Sequence, residues 1–175
     1  SPDADWFAIA CGGLSDKNEL FVENYANGHW QPYQAIEKIF QFYDKYRDRI
    51  RAIGIETTAF QKMFKFAFEV EMRKRNKFIK IIELKHTKSK EERILSLQPR
   101  YEQGMVYHKQ WMKGQELEEE LIRFPKGRRD DVADAVASLL EVVVPRRAPK
   151  AAKPPEKAGT VVEQLQRLEI GRAHV

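Results

Sequence analysis

Apolar residues occur along this chain as short runs and as helical stripes, and the two alternate after an opening pair of runs. Trp6-Phe-Ala-Ile-Ala-Cys11 is a short apolar run closed by Gly12-Gly13, and Leu20-Phe-Val-Glu-Asn-Tyr-Ala26 follows a Ser15-Asp16-Lys17-Asn18 cluster. Two such runs around a Gly/Asp/Asn cluster predict a β-hairpin. A helix is expected from Pro32, a residue suited to a first turn, with Ile36, Ile39, Phe40, Tyr43 and Tyr46 at three- and four-residue steps. Ala52-Ile-Gly-Ile-Glu56 reads as a short buried strand ending in an acid. Phe60, Met63, Phe64, Ala67, Phe68 and Met72 mark a second amphipathic helix. The Phe60, Phe64, Phe68 stripe suits a core better than a base-stacking platform.

Residues 78–84 predict another strand, and residues 89–97 a helix capped by Ser89 with Glu92 completing a capping box. Pro99 is expected to stop that helix. A short strand over 104–108, a helix over 114–124 and a last helix over 130–142 follow, the last with Val132, Ala135, Val136, Leu139 and Leu140 on one face. Strands first, then strands alternating with helices, predict an α/β domain with a mixed sheet. No internal repeat is visible.

Composition supports one such domain. In 175 residues, 42% are apolar and 33% charged, as in a globular domain with its own core. No apolar run approaches the ~20 residues needed to span a bilayer, and no secretion signal is expected at the start. The single cysteine, Cys11, excludes a disulfide framework and a Cys-based zinc site, and reads as a small buried hydrophobe in a reducing compartment.

The net charge of +5 is concentrated at one end. Residues 145–175 hold seven Lys/Arg against three Glu, so +4 of the total lies there. Residues 145–168 are Pro/Lys/Ala-rich and predict a flexible, solvated tail, which can also lie along nucleic acid. Residues 169–175, Glu-Ile-Gly-Arg-Ala-His-Val, resemble a translated sequencing adaptor and are expected to be non-native.

Three acidic groups are candidates for chemistry. Glu56 ends an apolar strand, where an acid either points into the crevice at the strand ends or caps the next helix with Thr57 and Thr58. Asp130, Asp131 and Asp134 open the last helix. One such acid is explained by the helix dipole, whereas three in one turn raise each other's pKa unless a cation neutralises them. Alanines at 133, 135 and 137 let that helix press close onto the sheet. Asp3 and Asp5, just before the first strand, are a weak third contribution. If these acids converge, hard oxygen ligands favour Mg²⁺ or Mn²⁺, and two such ions can cleave a phosphodiester.

Ile-Glu56-Thr-Thr, Lys88-Ser-Lys90-Glu-Glu-Arg93-Ile94, Leu97-Gln-Pro99-Arg-Tyr-Glu102-Gln-Gly104-Met-Val106-Tyr and Phe124-Pro125-Lys-Gly-Arg-Arg-Asp130-Asp131-Val-Ala-Asp134-Ala135 follow in that order. Over roughly residues 5–142 this series resembles the C-terminal nuclease domain of tailed-phage terminase large subunits. The resemblance implies an RNase H-like fold and a two-metal endonuclease that cuts concatemeric viral DNA during genome packaging. It implies an N-terminally truncated domain over 1–144, with the family's ATPase domain upstream in cis and no phosphate loop in this chain. In the family, the first metal-binding Asp precedes the element matched by Asp5-Trp6-Phe7-Ala8-Ile9, which places it ahead of Ser1, so this chain is expected to be weak or inactive alone. Arg129 stands where many members have His.

The expected catalytic residues are Glu56, Asp130 and Asp131, with the metal ligands Glu56, Asp131, Asp130, Asp134 and Asp5. Lys88, Lys90, Arg93, Lys126, Arg128 and Arg129 are the expected DNA-phosphate contacts. The basic run over 73–77 reads instead as a solvated helix end, and His86 and His108 as ordinary surface or edge-strand residues. Implied partners are double-stranded DNA, the small terminase subunit and the portal, in the cytoplasm of an infected bacterium and without a membrane. Another RNase H-like nuclease (a resolvase or transposase core) and a catalytically inactive DNA-binding or docking module are the alternatives.

Overall fold

The computed structural model describes residues 6–56 and 59–142, side chains included except at 48 and 59–63. The expected hairpin forms from β1 (Trp6–Leu14) and β2 (Leu20–His29), antiparallel from Trp6↔His29 to Leu14↔Leu20. Both strands are longer than their apolar runs predict. β1 continues through Gly12-Gly13 by means of a bulge between Cys11 and Gly12. A Cβ at Gly12 would lie 2.6 Å from the Phe21 carbonyl oxygen and 2.8 Å from Leu139 Cδ1, so glycine here allows close approach rather than ending the strand. Ser15 organises the turn, its Oγ accepting from the backbone N–H of Lys17 and of Glu19 at 3.2 Å each.

Helix α1 (Pro32–Tyr46) starts at a capping box between Gln31 and Gln34, and buries Ala35, Ile36, Ile39 and Phe40 as its periodicity predicts. β3 (Ala52–Glu56) and β4 (Lys80–Leu84) pair in parallel, with α2 (Ala59–Arg75) between them in sequence. Phe64, Phe68 and Met72 are core residues, as expected of the α2 stripe. The side chains of Phe60 and Met63 lie outside the described residues.

Helix α3 (Lys90–Leu95) carries the predicted box: Ser89 Oγ accepts from the Glu92 N–H at 3.2 Å, and Glu92 Oε2 accepts from the Ser89 N–H at 2.8 Å. Pro99 does not end a helix; it sits in the first turn of α4 (Gln98–Glu102), where its missing N–H costs nothing. β5 (Val106–His108) joins β2 in parallel, Leu20 opposite Val106. α5 (Glu116–Arg123) and α6 (Asp131–Val142) complete the chain's described part.

The fold is the expected mixed α/β class, a β1-β2-β5 sheet flanked by helices and consistent with an RNase H-like arrangement. The strands fall in two sheets rather than one, β1-β2-β5 and β3-β4, because among the described residues β1 pairs with β2 alone and β3 with β4 alone. Two cores lie on opposite faces. Leu20, Val22, Leu97, Met112, Leu117, Val132 and Val136 fill one beneath α6; Ile36, Phe40, Phe64, Phe68 and Ile79 fill the other beneath α1 and α2. β1 serves both by alternation, with Ala8 and Ala10 toward the first and Phe7 and Ile9 toward the second. Helix α6 packs across β1, β2, β3 and β4, over Gly12 and Gly54. No described helix is long and apolar enough to cross a membrane.

Candidate functional site

Glu56 is the last residue of β3 and is exposed. Asp131 and Asp134 lie in the first turn of α6. The C-terminal half of α6 lies over small residues of both sheets, Leu139 against Gly12 and Val142 against Gly54. Glu56, Asp131, Asp134 and His86 line one cavity of about 1270 Å³. These acids, separated along the sequence, line the same broad cavity. Asp130 does not line that cavity, and Asp5, with Asp3, Thr57 and Thr58, lies outside the described residues.

Each acid of the α6 turn already has a cation. Lys90 Nζ lies 2.6 Å from Asp130 Oδ1 and 2.7 Å from Asp131 Oδ1. Burial works to lower the Lys90 ammonium pKa, and the bonds to Asp130 and Asp131 outweigh it, so the pKa is raised. Arg93 holds Asp134 at two points, Nε to Oδ1 at 2.8 Å and Nη2 to Oδ2 at 2.6 Å. Its Nη1 donates to the Lys88 carbonyl at 3.1 Å. The bond to Asp134 raises the Arg93 pKa, and the charges of Glu56 and Glu141 add to it. Carboxylate repulsion in this turn is thus relieved by protein side chains.

Arg93 differs from its expected role. It is 8% exposed, and its donors are directed at Asp134 and Lys88, so it positions the acidic turn rather than facing a phosphate. Lys90 also serves the acids. Lys88, Lys126 and Arg128 are exposed. Arg129 lies with its guanidinium carbon 3.9 Å from the Trp6 ring centroid, in cation–π contact. The basic run ending α2 is a surface run, but an ion-paired one: Lys74 bonds Glu71, Arg75 bonds Glu37 and Glu71, and Lys77 bonds Asp44.

The two histidines are more engaged than surface residues. The His86 side chain is 8% exposed and its Nδ1 lies 3.1 Å from Glu141 Oε1. His108, on the edge strand β5, has its Nε2 2.7 Å from the Tyr101 hydroxyl and its Nδ1 3.4 Å from Glu118. Burial, followed by the Glu118 charge, raises the Tyr101 pKa strongly, which keeps the hydroxyl protonated.

Glu120 was not anticipated. It is 4% exposed on α5, and its Oε2 accepts from the Ala133 N–H at 2.8 Å, satisfying a donor at the start of α6. Oε1 is buried without a partner among the described residues, and burial raises the Glu120 pKa. Its sequence signal was an acid three residues after Leu117, on the buried face of α5.

Glu56 and Asp131 match a hard divalent cation in donor chemistry. Among the described residues, however, no group of three or more His, Cys, Asp or Glu is arranged to hold a metal ion. No family model and no curated protein matches the chain.

Proposed function

We propose that this chain is the DNA-cleaving domain of a phage-type packaging terminase, acting in the cytoplasm of an infected bacterium on concatemeric viral DNA. The observation that supports this reading is that Glu56, which ends β3, and Asp131 and Asp134 of the α6 turn line one cavity. Glu56 and Asp131 would hold Mg²⁺ or Mn²⁺, with Asp130 beside them. Such ions supply an activated water and stabilise the leaving oxygen of a phosphodiester. Lys90 bridges Asp130 and Asp131, and Arg93 anchors Asp134 so that the turn keeps its geometry. Lys88, Lys126 and Arg128, which are exposed, would hold backbone phosphates without reading bases. The upstream ATPase domain, the small subunit and the portal belong to the same proposal.

The test is nicking of supercoiled DNA with Mg²⁺ or Mn²⁺ by a version restored upstream of Ser1 and by the same version carrying Glu56→Ala or Asp131→Ala. Metal-dependent nicking lost in both variants supports the reading. Equal nicking by all three proteins overturns the ligand assignment. A second reading, a catalytically inactive DNA-binding or docking module, is favoured by Lys90 standing between Asp130 and Asp131. It requires DNA binding with no cleavage under either metal.

A further inference from the structure

Exposed cations gather at the end of the fold where β3 begins. Lys45 lies in the last turn of α1, Arg47 and Arg49 in the 3₁₀ turn that follows, and Arg51 just ahead of β3. Lys80 opens β4 and stands opposite Ala52 in the parallel ladder, so it belongs to the same end. All five are exposed. Glu56 closes the same strand, roughly 13 Å farther on at about 3.3 Å per residue, so this group is separate from the acids.

Helix-end chemistry explains only part of the group. Lys45 complements the dipole of α1, whereas Arg49, Arg51 and Lys80 end no α-helix. Elsewhere the cations are paired: Lys65 with Glu83, Lys77 with Asp44, Lys90 with Asp130 and Asp131, Arg93 with Asp134. None of the described carboxylates pairs with Lys45, Arg47, Arg49, Arg51 or Lys80, and the Asp48 side chain lies outside the described ones. Two of these cations share one ring, with Lys45 Nζ 5.5 Å and the Arg49 guanidinium carbon 5.4 Å from the Tyr46 centroid. Arg47 caps α1 with φ at +39°, a conformation that suits glycine and strains a residue with a Cβ. Phe78, two residues before Lys80, is 68% exposed. Lys77 seats its segment against the end of α1, bonded to Asp44 and 6.0 Å from the Tyr43 centroid.

We infer that this end of the fold binds single-stranded nucleic acid, with Arg47, Arg49, Arg51 and Lys80 on backbone phosphates and Phe78 stacked on a base. Cations spread over a helix end, a 3₁₀ turn and two strands form a broad surface rather than a converging nest. Such a surface suits a chain of phosphates better than one small anion. An exposed ring among cations favours an unstacked base over an acidic peptide, which has no ring to stack, and over a duplex, whose bases face inward. The inference does not rest on the nuclease reading, because it uses neither the acids nor a metal.

The experiment measures binding of labelled oligo-dT and of a duplex by the 175-residue chain, in EDTA and across a range of salt. Arg49→Gln/Arg51→Gln/Lys80→Gln is expected to weaken oligo-dT binding about tenfold or more at low salt, and to lower the slope of log affinity against log salt by about 2. The charge-matched control Lys17→Gln/Arg73→Gln/Lys113→Gln, on exposed cations elsewhere, should keep the parent slope. Phe78→Ala should weaken oligo-dT about tenfold and leave the duplex unchanged. Arg47→Gly separates binding from structure: the melting temperature should hold because the backbone relaxes, while the slope falls by roughly 0.7. An unchanged slope in the triple variant, or an equal loss in the control, overturns the proposal. So does a duplex bound as tightly as oligo-dT with Phe78→Ala silent. Polyglutamate bound as tightly as oligo-dT, and lost in the triple variant, assigns the surface to an acidic protein and also overturns it. Should the triple variant misfold, Arg47→Gly and Phe78→Ala decide: losses in both support the site, and parent affinity in both overturns it. None of these readouts needs a metal or cleavage, so their failure leaves the nuclease reading standing, and a failure to nick leaves this surface standing.

Discussion

Arg93 and Asp134, in the first turn of α6, form a two-point ion pair with Nε–Oδ1 at 2.8 Å and Nη2–Oδ2 at 2.6 Å. The side chains are 9% and 16% exposed, so neither charge is well solvated once the other is removed. Arg93→Ala is expected to destabilise the fold by about 3–5 kcal/mol, because it leaves Asp134 buried and uncompensated. The double variant Arg93→Met/Asp134→Leu should recover most of that loss. Urea unfolding midpoints of the three variants measure both effects.

Lys90 has a different consequence, since both its carboxylates are about one-third exposed. Lys90→Met removes the cation from Asp130 and Asp131 and leaves two adjacent anions. A divalent ion then relieves the repulsion, so millimolar Mn²⁺ should raise the melting temperature of Lys90→Met more than that of the parent. Equal shifts in the two proteins would show that these acids do not bind the ion.

Glu120 gives a prediction in pH. Burial raises its pKa above the ordinary carboxyl value of 4.5, so the folded state keeps a proton that the unfolded chain has released. Glu120's contribution to stability is therefore full below the ordinary value and declines as pH rises through the raised one. Glu71, Glu92 and Glu118 are shifted downward and act in the opposite sense, gaining stability as pH rises. Subtracting the Glu120→Gln stability curve from the parent curve isolates the Glu120 slope, which should be negative over that window. A flat difference curve is the contrary result.

Gly12 tests the seat of α6. Gly12→Ala places a methyl group against the Phe21 carbonyl and Leu139, and should cost roughly 1–3 kcal/mol. Gly13→Ala is the neighbouring control, since a Cβ there meets nothing within 4 Å. Thermal melts of the two should differ clearly, with Gly13→Ala close to the parent.

The basic C-terminal segment makes a salt prediction. If it lies on duplex DNA, deleting residues 145–175 removes seven cations and lowers the slope of log affinity against log salt by up to about 6. A titration from low to moderate salt with and without the segment decides this. An unchanged slope assigns DNA binding to the α/β body.

The elements and both main helical stripes were legible because each depends on neighbours a few residues away. The Ser89–Glu92 box and the Ile36/Ile39/Phe40 stripe needed only local spacing. Pro99 was misread for the same reason: the preference for ending one helix and for opening the next look alike in sequence. The acidic positions were visible as residue types. Their pairings were not, since Lys90 and Arg93 reach their partners across 41 residues.

From the sequence alone came the α/β class, the hairpin, the capped helices and the sites where acids and cations are concentrated, because these rest on periodicity and short-range chemistry. The tertiary structure alone decided that Glu56 and Asp131 line one cavity, that Arg93 is committed to Asp134, that Glu120 supports α6, and that the strands fall in two sheets. Those outcomes turn on which distant segments approach closely enough to exclude water, and it is at that distance that a charge is either paired or left free.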